Sequence, residues 1–251
     1  MGMGIGTERL EQEIRNLFPG AQVSRMDRDT TSRRRAHQQI LLGLESGKID
    51  ILVGTQMIVK GHDFPNVTFV GVVSADTSLH FPDFRSSERT FQLLTQVAGR
   101  AGRGEVLGEV IIQTFNPDHY SILRAKNHDF VGFYQEECQF RKALDYPPFS
   151  RLINFRLTGN SEKGTETMAE ELGNVGRTLL KKKYLKGMEI LGPSTAPFTK
   201  MKGKFRWQML VKGKSSQALH RFAQELGSHM EAQTKGRGVH LDIDVDPIFI
   251  L

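Results

Sequence analysis

The first half of the chain alternates between two hydrophobic spacings. Apolar residues recur every three or four positions in some segments, which predicts amphipathic helices, and form short continuous runs in others, which predicts buried parallel strands. The predicted helices cover residues 7–18, 32–45 and 84–101, and the predicted strands cover residues 21–26, 49–53, 67–73 and 109–114. Helices that alternate with buried strands indicate an α/β domain with a parallel sheet over residues 4–116.

The second half of the chain follows a different pattern. Two helices are predicted within residues 117–149, which form a connector that ends near Pro147 and Pro148. Beyond the connector, the predicted strands cover residues 152–157, 188–191, 205–211 and 240–245, and the predicted helices cover residues 162–182 and 216–229. The order βαββαβ predicts an α+β, ferredoxin-like domain over residues 150–251.

Charge is distributed unevenly between the two halves. The whole chain has a net charge of +6, but residues 151–251 hold 17 Lys and Arg against 10 Asp and Glu, a net charge of +7. Residues 1–150 hold 17 against 18, a net charge of −1. A polyanionic partner is therefore expected to bind the second half.

Composition argues against several classes of protein. No apolar stretch approaches the roughly 20 residues that span a bilayer, and the start of the chain does not resemble a secretory signal. The single cysteine, Cys138, cannot form an internal disulfide or a cysteine-rich zinc module, and its helical context favours a partly buried thiol. We therefore expect a protein of the reducing cytoplasm, with no zinc held by this chain.

The strongest chemical signal is the segment QVAGRAGRG at residues 96–104. Arg100 and Arg103 each follow a glycine near the end of a predicted helix, so their guanidinium groups are expected on one side of a tight turn. Glycine lets the backbone approach a phosphate closely, and guanidinium groups bind phosphate oxygens in bidentate fashion. A basic helix end that is stabilised by the helix dipole fits the same residues.

A second signal follows the predicted strand at residues 49–53. Thr55 lies just beyond the strand, and Lys60, Gly61 and Asp63 follow in the next loop. Open α/β sheets bind ligands at the carboxyl ends of their strands. Thr55 is suited to donate a hydrogen bond to a nucleic-acid phosphate, and Asp63 to accept one from a ribose hydroxyl, although a loop aspartate is also a common cap.

These two segments, in this order, resemble motifs V and VI of superfamily-two helicases. Further segments extend the likeness over nearly the whole chain: GIGTERL (residues 4–10), RMDRDTT (25–31), DTSLHFPDFRSSER (76–89), YPPFS (146–150), ILGP (190–193), FRWQ (205–208) and DVDP (244–247). Together they resemble the primosomal protein N′ (PriA) family of replication-restart helicases. Members of this family unwind DNA from 3′ to 5′ at stalled forks and load the primosome.

The resemblance implies a role for each matching residue in the motor. Arg100 and Arg103 would be arginine fingers that stabilise charge on the transferring γ-phosphoryl group of ATP, and Gln96 would help to orient it. Nucleotide contacts would also come from Gly61, Asp63 and Gly99. DNA contacts in this domain would come from Thr55 and Lys60.

The sequence lacks the residues that would complete an ATP site. A P-loop reads G-x-x-x-x-G-K-[ST], and the nearest match ends at Gly213, Lys214 and Ser215 but has Gln208 where the first glycine is required. No Asp-Glu pair is present for a DEAH-type box. The resemblance places the first motor lobe and a zinc insertion before Gly4. We therefore expect ATP with Mg²⁺ to bind only the full-length protein, and the isolated chain to be inactive as an ATPase.

The second domain offers one candidate surface for nucleic acid. Its basic residues cluster in a predicted hairpin loop at residues 197–204 and just beyond it, at Lys200, Lys202, Lys204 and Arg206. A basic surface with neighbouring aromatic rings suits phosphate tracking and base stacking. Trp207 alternates with Phe205 along the strand and fits the core equally well, and the run of lysines at residues 181–183 fits a solvated helix end.

Two functional interpretations remain open at this stage. The first is a helicase fragment that binds forked or single-stranded DNA, single-stranded DNA-binding protein and primosome proteins, as the resemblance implies. The second is a DNA-binding or partner-docking module without catalysis, which retains a degenerate helicase lobe. The presence of Gln96, Arg100 and Arg103 favours the first, because a degenerate lobe has little need of paired arginines.

Overall fold

Helices and strands alternate along the first part of the chain, as the hydrophobic spacing predicts. The structure, a computed structural model, describes residues 6–27, 34–56, 58, 66–99, 108–183, 187–234 and 236–250, and describes only the backbone of residues 34–36 and 232. The elements of this part are α1 (Thr7–Leu17), β1 (Val23–Met26), α2 (Arg34–Glu45), β2 (Ile51–Gly54), β3 (Phe69–Val72), α3 (Asp76–Leu79), α4 (Ser86–Ala98), β4 (Glu109–Ile112), α5 (Tyr120–Lys126) and α6 (Phe130–Ala143).

The chain divides into two units. The first comprises Met1–Phe81 and Arg85–Gln135, and the second comprises Pro82–Phe84 and Glu136–Leu251. The division falls inside α6, so the segment predicted as a connector contributes to both units. The short segment Pro82–Phe84 groups with the second unit although the chain on either side of it groups with the first.

The strands of the first unit are parallel, as predicted, but pair differently. Among the described residues β1 pairs with β2 and β3 pairs with β4, as two separate two-stranded sheets instead of one. Hydrophobic spacing indicates parallel strands without specifying which edges meet. The prediction that residues 67–73 form a buried strand is wrong for one face of β3, where Phe69 is 56% exposed.

A hydrophobic core of the first unit lies against the face of β3 and β4 that is opposite the exposed Phe69. Val72 and Ile112 pack there against buried residues of α4 and α5. Phe91 of α4 stacks on Phe133 of α6, with ring centroids 4.2 Å apart and planes at 9°. The buried members of this cluster are Ala75, Phe91, Leu94, Ile122, Ala125 and Phe133.

The second unit has the predicted element order βαββαβ. Its elements beyond α6 are β5 (Arg151–Gly159), α7 (Glu162–Lys183), β6 (Met188–Met201), β7 (Lys204–Gly213), α8 (Ser216–Thr234) and β8 (Val239–Val245). The four strands form one antiparallel sheet in the order β6-β7-β5-β8. Both helices bury their apolar faces against it, for example through Phe155 and Phe222, whose rings meet edge to face.

The β6–β7 hairpin is longer than the sequence pattern predicts. Residues 197–201, predicted to be loop, continue β6, and Met201 pairs with Lys204 across a two-residue turn. Lys202 and Gly203 form this turn with φ of 50° and 80°. Turns of this kind match the twist of paired strands, and glycine adopts positive φ without a steric cost, so the strands continue to the tip.

Candidate nucleotide and nucleic-acid site

Helix α4 positions the first part of the segment at residues 96–104. Its buried face carries Phe91, Leu94 and Val97, which leaves Gln96 on the exposed side of the last turn. The helix ends at Gly99, whose N–H donates to the carbonyl of Thr95 at 3.1 Å. Arg100 and Arg103 lie outside the described residues.

The end of β2 presents the second predicted segment. Val53 is buried, whereas Thr55 is exposed beyond the carboxyl end of the strand. A side chain at Gly54 would collide with the carbonyl oxygen of Met26 on β1, so only glycine allows the two strands to approach here. Lys60, Gly61 and Asp63 lie outside the described residues.

A buried carboxylate that the sequence analysis did not single out links the ends of β3 and β4. Asp76 is 5% exposed and accepts hydrogen bonds from the hydroxyl of Thr114 at 3.0 Å, the N–H of Phe115 at 3.0 Å and the amide of Asn116 at 2.8 Å. Burial opposes ionisation and would raise the pKa of Asp76, but these hydrogen bonds outweigh it and hold the pKa below its ordinary value. The partners are separated by 38–40 residues, so spacing in the sequence offered no signal.

The hairpin presents three of its four predicted basic residues to solvent. Lys200, Lys202 and Lys204 are exposed, and the ammonium nitrogen of Lys200 lies 4.6 Å from the centroid of the Phe205 ring on the neighbouring strand. An ammonium over an aromatic face is a cation–π contact, which orients this lysine along the hairpin.

Arg206 differs from the three lysines. It is only 5% exposed, so the structure does not place it on the surface that the sequence analysis predicted. Burial lowers the pKa of Arg206, the charge of Arg156 lowers it further, and Asp242 partly offsets both. Strand alternation does not separate Arg206 from Lys204, because both lie on the same face of β7. Arg206 lies further from the hairpin tip, opposite Thr158 on β5. The neighbouring Trp207 packs against the core on the other face, which confirms the core interpretation of that residue.

Other predictions concern metals, membranes and Cys138. Cys138 is a free thiol of intermediate burial, as expected. Among the residues that the structure describes, no group of three or more His, Cys, Asp or Glu is placed to hold a metal ion. Within the same residues no helix is both long and apolar enough to cross a membrane.

Comparison with known proteins shows what each part of the chain is similar to. Residues 5–105 match the sequence profile described as helicase conserved C-terminal domain, and residues 142–248 match the profile described as primosomal protein N C-terminal domain. The replication restart protein PriA of Bacillus subtilis (strain 168) is 45% identical over 248 residues, which is 99% of this chain and 30% of that protein. Along nearly all of its length the chain is therefore similar to the C-terminal part of PriA proteins.

Other relatives carry the same name. The replication restart protein PriA of Synechocystis sp. (strain ATCC 27184 / PCC 6803 / Kazusa) is 42% identical over 98% of this chain, and that of Haemophilus influenzae (strain ATCC 51907 / DSM 11121 / KW20 / Rd) is 39% identical over 97%. The chain spans 29% and 33% of these two proteins. It therefore covers about a third of the curated PriA relatives that it matches.

Proposed function

We propose that the chain is the C-terminal part of an ATP-dependent DNA helicase that unwinds DNA from 3′ to 5′ in replication restart and primosome assembly. The first unit is its second, RecA-like motor lobe, and the second unit is a ferredoxin-like DNA-binding domain. The proposal rests on the similarity to PriA proteins, together with one structural observation. The exposed Gln96 lies on the last turn of a helix whose other face is buried, directly before Arg100 and Arg103 in the sequence.

The residues of the first unit fit one side of a nucleotide site. Gln96 and Gly99 are both exposed at the end of α4, where an amide and an uncrowded backbone suit contact with phosphate. Bound ATP with Mg²⁺ would supply the γ-phosphoryl group, and Arg100 and Arg103 would stabilise its charge as arginine fingers. In the sequence, Gly61 and Asp63 are the candidates for contact with the ribose.

The second unit supplies contacts to nucleic acid. Lys200, Lys202 and Lys204 project from one hairpin into solvent, and the net charge of +7 over residues 151–251 favours a polyanion. Thr55 and Lys60 are the candidates for contact with DNA in the first unit. Partners in the cell would be forked or single-stranded DNA, single-stranded DNA-binding protein and primosome proteins.

The strand order of the second unit supports the proposed ferredoxin-like domain. In β6-β7-β5-β8 the first strand of the unit, β5, lies between the third and the fourth, and all neighbours are antiparallel. The two helices cross on one face, where they bury the apolar side chains of the central strands. A split β-α-β unit has this strand order, which favours the proposal.

The first experiment compares ATP hydrolysis with and without an arginine finger. In the full-length protein, Arg100→Ala is expected to lower DNA-stimulated turnover by about 10³-fold, because it removes charge stabilisation at the transferring phosphoryl group. Affinity for DNA, measured by fluorescence anisotropy, should remain within about twofold. The isolated chain should show no turnover above background.

Normal turnover by Arg100→Ala would overturn the proposal. The motif would then be structural, and a DNA-binding module without catalysis would account better for the chain. Turnover by the isolated chain would contradict the view that it holds only half of an ATP site.

A further inference from the structure

The sheet of the second unit has one face that points away from α7 and α8. Side chains of β5 and β7 alternate between the two faces, and those of Phe155 and Met209 lie in the core beneath the helices. The intervening residues lie on the other side, which we call the outer face. There Arg156 of β5 lies opposite Gln208 of β7, and Arg206 lies two residues nearer the hairpin tip. The central strands therefore place two cations and an amide side by side on the outer face.

Arg206 is a buried cation that forms neither a hydrogen bond nor an ion pair within the part of the chain that the structure describes. Burial lowers the pKa of Arg206, and the charge of Arg156 lowers it further, so the surroundings oppose the charge. A guanidinium has five N–H donors, and removing them from water without acceptors is unfavourable. An anion that contacts both arginines would supply these acceptors and offset the repulsion between them.

Two amide groups of the outer face also lack partners. Both amide atoms of Asn154 and the Oε1 atom of Gln208 are buried and have no hydrogen-bond partner among the described residues. Buried amides in folded proteins are nearly always hydrogen-bonded. Asn154 is fully buried, whereas Gln208 is half-buried and can be reached by a ligand. An amide next to two guanidinium groups suits a ligand that combines a phosphate with hydrogen-bonding groups, as a nucleotide does.

Charge changes sign across the outer face. Its acidic residues, Asp242 and Asp244, lie on the edge strand β8, where Asp242 is opposite Arg156 and partly offsets the effect of burial on Arg206. Strand β7 carries no acidic residue, and Lys204 adds an exposed cation to its outer face. A polyanion is therefore attracted to the side of the face along β7, which leads to the hairpin, and away from β8.

Strand β6 is irregular beside Arg206. Residues 196–199 stand opposite Arg206 alone, because the register shifts between Thr195 and Lys200. An insertion of this kind bends the strand that carries it and interrupts the ladder of hydrogen bonds. Bulges are common next to functional sites, so this irregularity agrees with a ligand at Arg206.

We propose that the outer face binds a single nucleic-acid strand along β7, with one phosphate between Arg156 and Arg206 and the adjacent base on the amide of Gln208. This inference rests on the proposed function, because it names the ligand and its site within the DNA-binding unit. A single strand fits better than a duplex, since its unpaired bases turn their edges toward side chains. The bound strand continues to the hairpin lysines at the tip of β6 and β7.

Binding of a fluorescent oligothymidine to the chain, measured by anisotropy at several salt concentrations, tests the phosphate contact. Arg206→Gln is expected to weaken binding by about tenfold, because it removes charge-assisted hydrogen bonds. The slope of log K against log salt concentration should fall by about 0.7, the value for one phosphate of a single strand. The matched control, Arg221→Gln, removes the same charge from an exposed residue of α8 and should change affinity by less than about twofold. An equal loss in both variants would show that only net charge matters and would overturn the inference.

Stability separates a binding role of Arg206 from a structural one. A buried cation without an acceptor does not hold the fold together. The urea midpoint of Arg206→Gln, followed by the fluorescence of Trp207, should therefore equal or exceed that of wild type. If the midpoint is lower, Arg156→Gln decides, since Arg156 is only half-buried. A loss of affinity of about threefold or more in Arg156→Gln then supports the site, and unchanged affinity overturns it.

An oligomer of abasic sites and a blunt duplex test the base contact and the preference for a single strand. Gln208→Ala should weaken binding of oligothymidine by about threefold, because it removes one hydrogen bond to a base. It should leave binding of the abasic oligomer unchanged, and an equal loss with this oligomer would contradict the base contact. If Arg206→Gln weakens binding of the duplex as much as that of oligothymidine, the face does not select a single strand and the inference is wrong.

The hairpin variant separates the inference from the proposed function. If replacement of Lys200, Lys202 and Lys204 with glutamine weakens binding but Arg206→Gln binds as tightly as wild type, the outer face is not the site and the proposed function stands. If the wild-type chain does not bind oligothymidine, the DNA-binding role proposed for the second unit fails first.

Discussion

At the scale of single residues, one buried carboxylate organises a loop between distant strands. Asp76 follows β3, and its three hydrogen-bond donors follow β4. A charged group with three donors is stable in a site that water does not reach, whereas the same group without them would take up a proton. The loop after β4 is therefore held from a point 38–40 residues earlier in the chain.

We expect Asp76→Asn to lower the free energy of unfolding by about 2 kcal/mol at pH 7, because the amide removes the charge that strengthens these bonds. The pKa of Asp76 is lowered below 3.8 in the folded chain, so its contribution is fully present above pH 3.8 and is lost as the pH falls through the folded pKa. Urea unfolding followed by far-ultraviolet circular dichroism measures the free energy of unfolding. The difference in this free energy between wild type and variant should decrease below pH 3.8.

Asp118→Asn is the control for this experiment, since Asp118 lies in the same loop and is exposed. It should leave stability unchanged at each pH. A difference between Asp76→Asn and wild type that is independent of pH would contradict the assignment of a lowered pKa.

At the scale of elements, close packing between α7 and the sheet depends on glycine. Gly173 and Gly176 are both buried in α7. A Cβ at Gly173 would lie 2.6 Å from Cδ of Pro193 on β6, which is closer than carbon atoms approach. A Cβ at Gly176 would meet its nearest neighbours, on Ile190 and Leu226, at 3.4 Å, an ordinary contact.

The two glycines should therefore respond oppositely to the same substitution. Gly173→Ala is expected to destabilise the second unit by about 1–3 kcal/mol through overpacking. Gly176→Ala should stabilise it by about 0.5–1 kcal/mol, because alanine favours the helix. Urea unfolding followed by the fluorescence of Trp207, the single tryptophan, reports on this unit. Equal effects at both positions would contradict the packing of Pro193 against α7.

At the scale of the whole molecule, part of the excess of positive charge lies on one exposed hairpin. In the proposed function, long-range charge would attract a polyanion to the second unit, and contact with phosphate would require ammonium groups that reach solvent. The hairpin provides three, at Lys200, Lys202 and Lys204. The lysines at residues 181–183 are also exposed at the end of α7, so net charge alone does not distinguish the two surfaces.

Replacing the three hairpin lysines with glutamine should weaken binding of a fluorescent oligothymidine to the chain. The slope of log K against log salt concentration should fall by about 2, because about three fewer counterions are released from the single strand. Fluorescence anisotropy at several salt concentrations measures both quantities. The variant with Lys181, Lys182 and Lys183 changed to glutamine has the same net charge, and an equal loss in both variants would contradict a specific role for the hairpin.

Features that depend on neighbours in the chain were accessible from sequence. Hydrophobic spacing was sufficient to predict the alternating helices and strands of the first unit and the order βαββαβ in the second. It is sufficient because the spacing shows which face of each element is buried. The motifs at residues 51–63 and 96–104 indicated a helicase. The further segments along the chain indicated the likeness to PriA proteins, which the comparisons confirm. The roles of Arg100 and Arg103 stay predictions.

Features that depend on distant residues required the folded chain. Three findings depend on segments that are distant in the sequence. They are the pairing of β1 with β2 and of β3 with β4, the burial of Arg206 beside the exposed Lys204, and the hydrogen bonds of Asp76 to the loop after β4. The same is true of Phe84, whose partners Arg141 and Tyr146 lie more than 50 residues away. A sequence indicates whether each residue favours water or apolar surroundings. Which residue forms the hydrogen bond of a buried polar group is determined only by the tertiary structure.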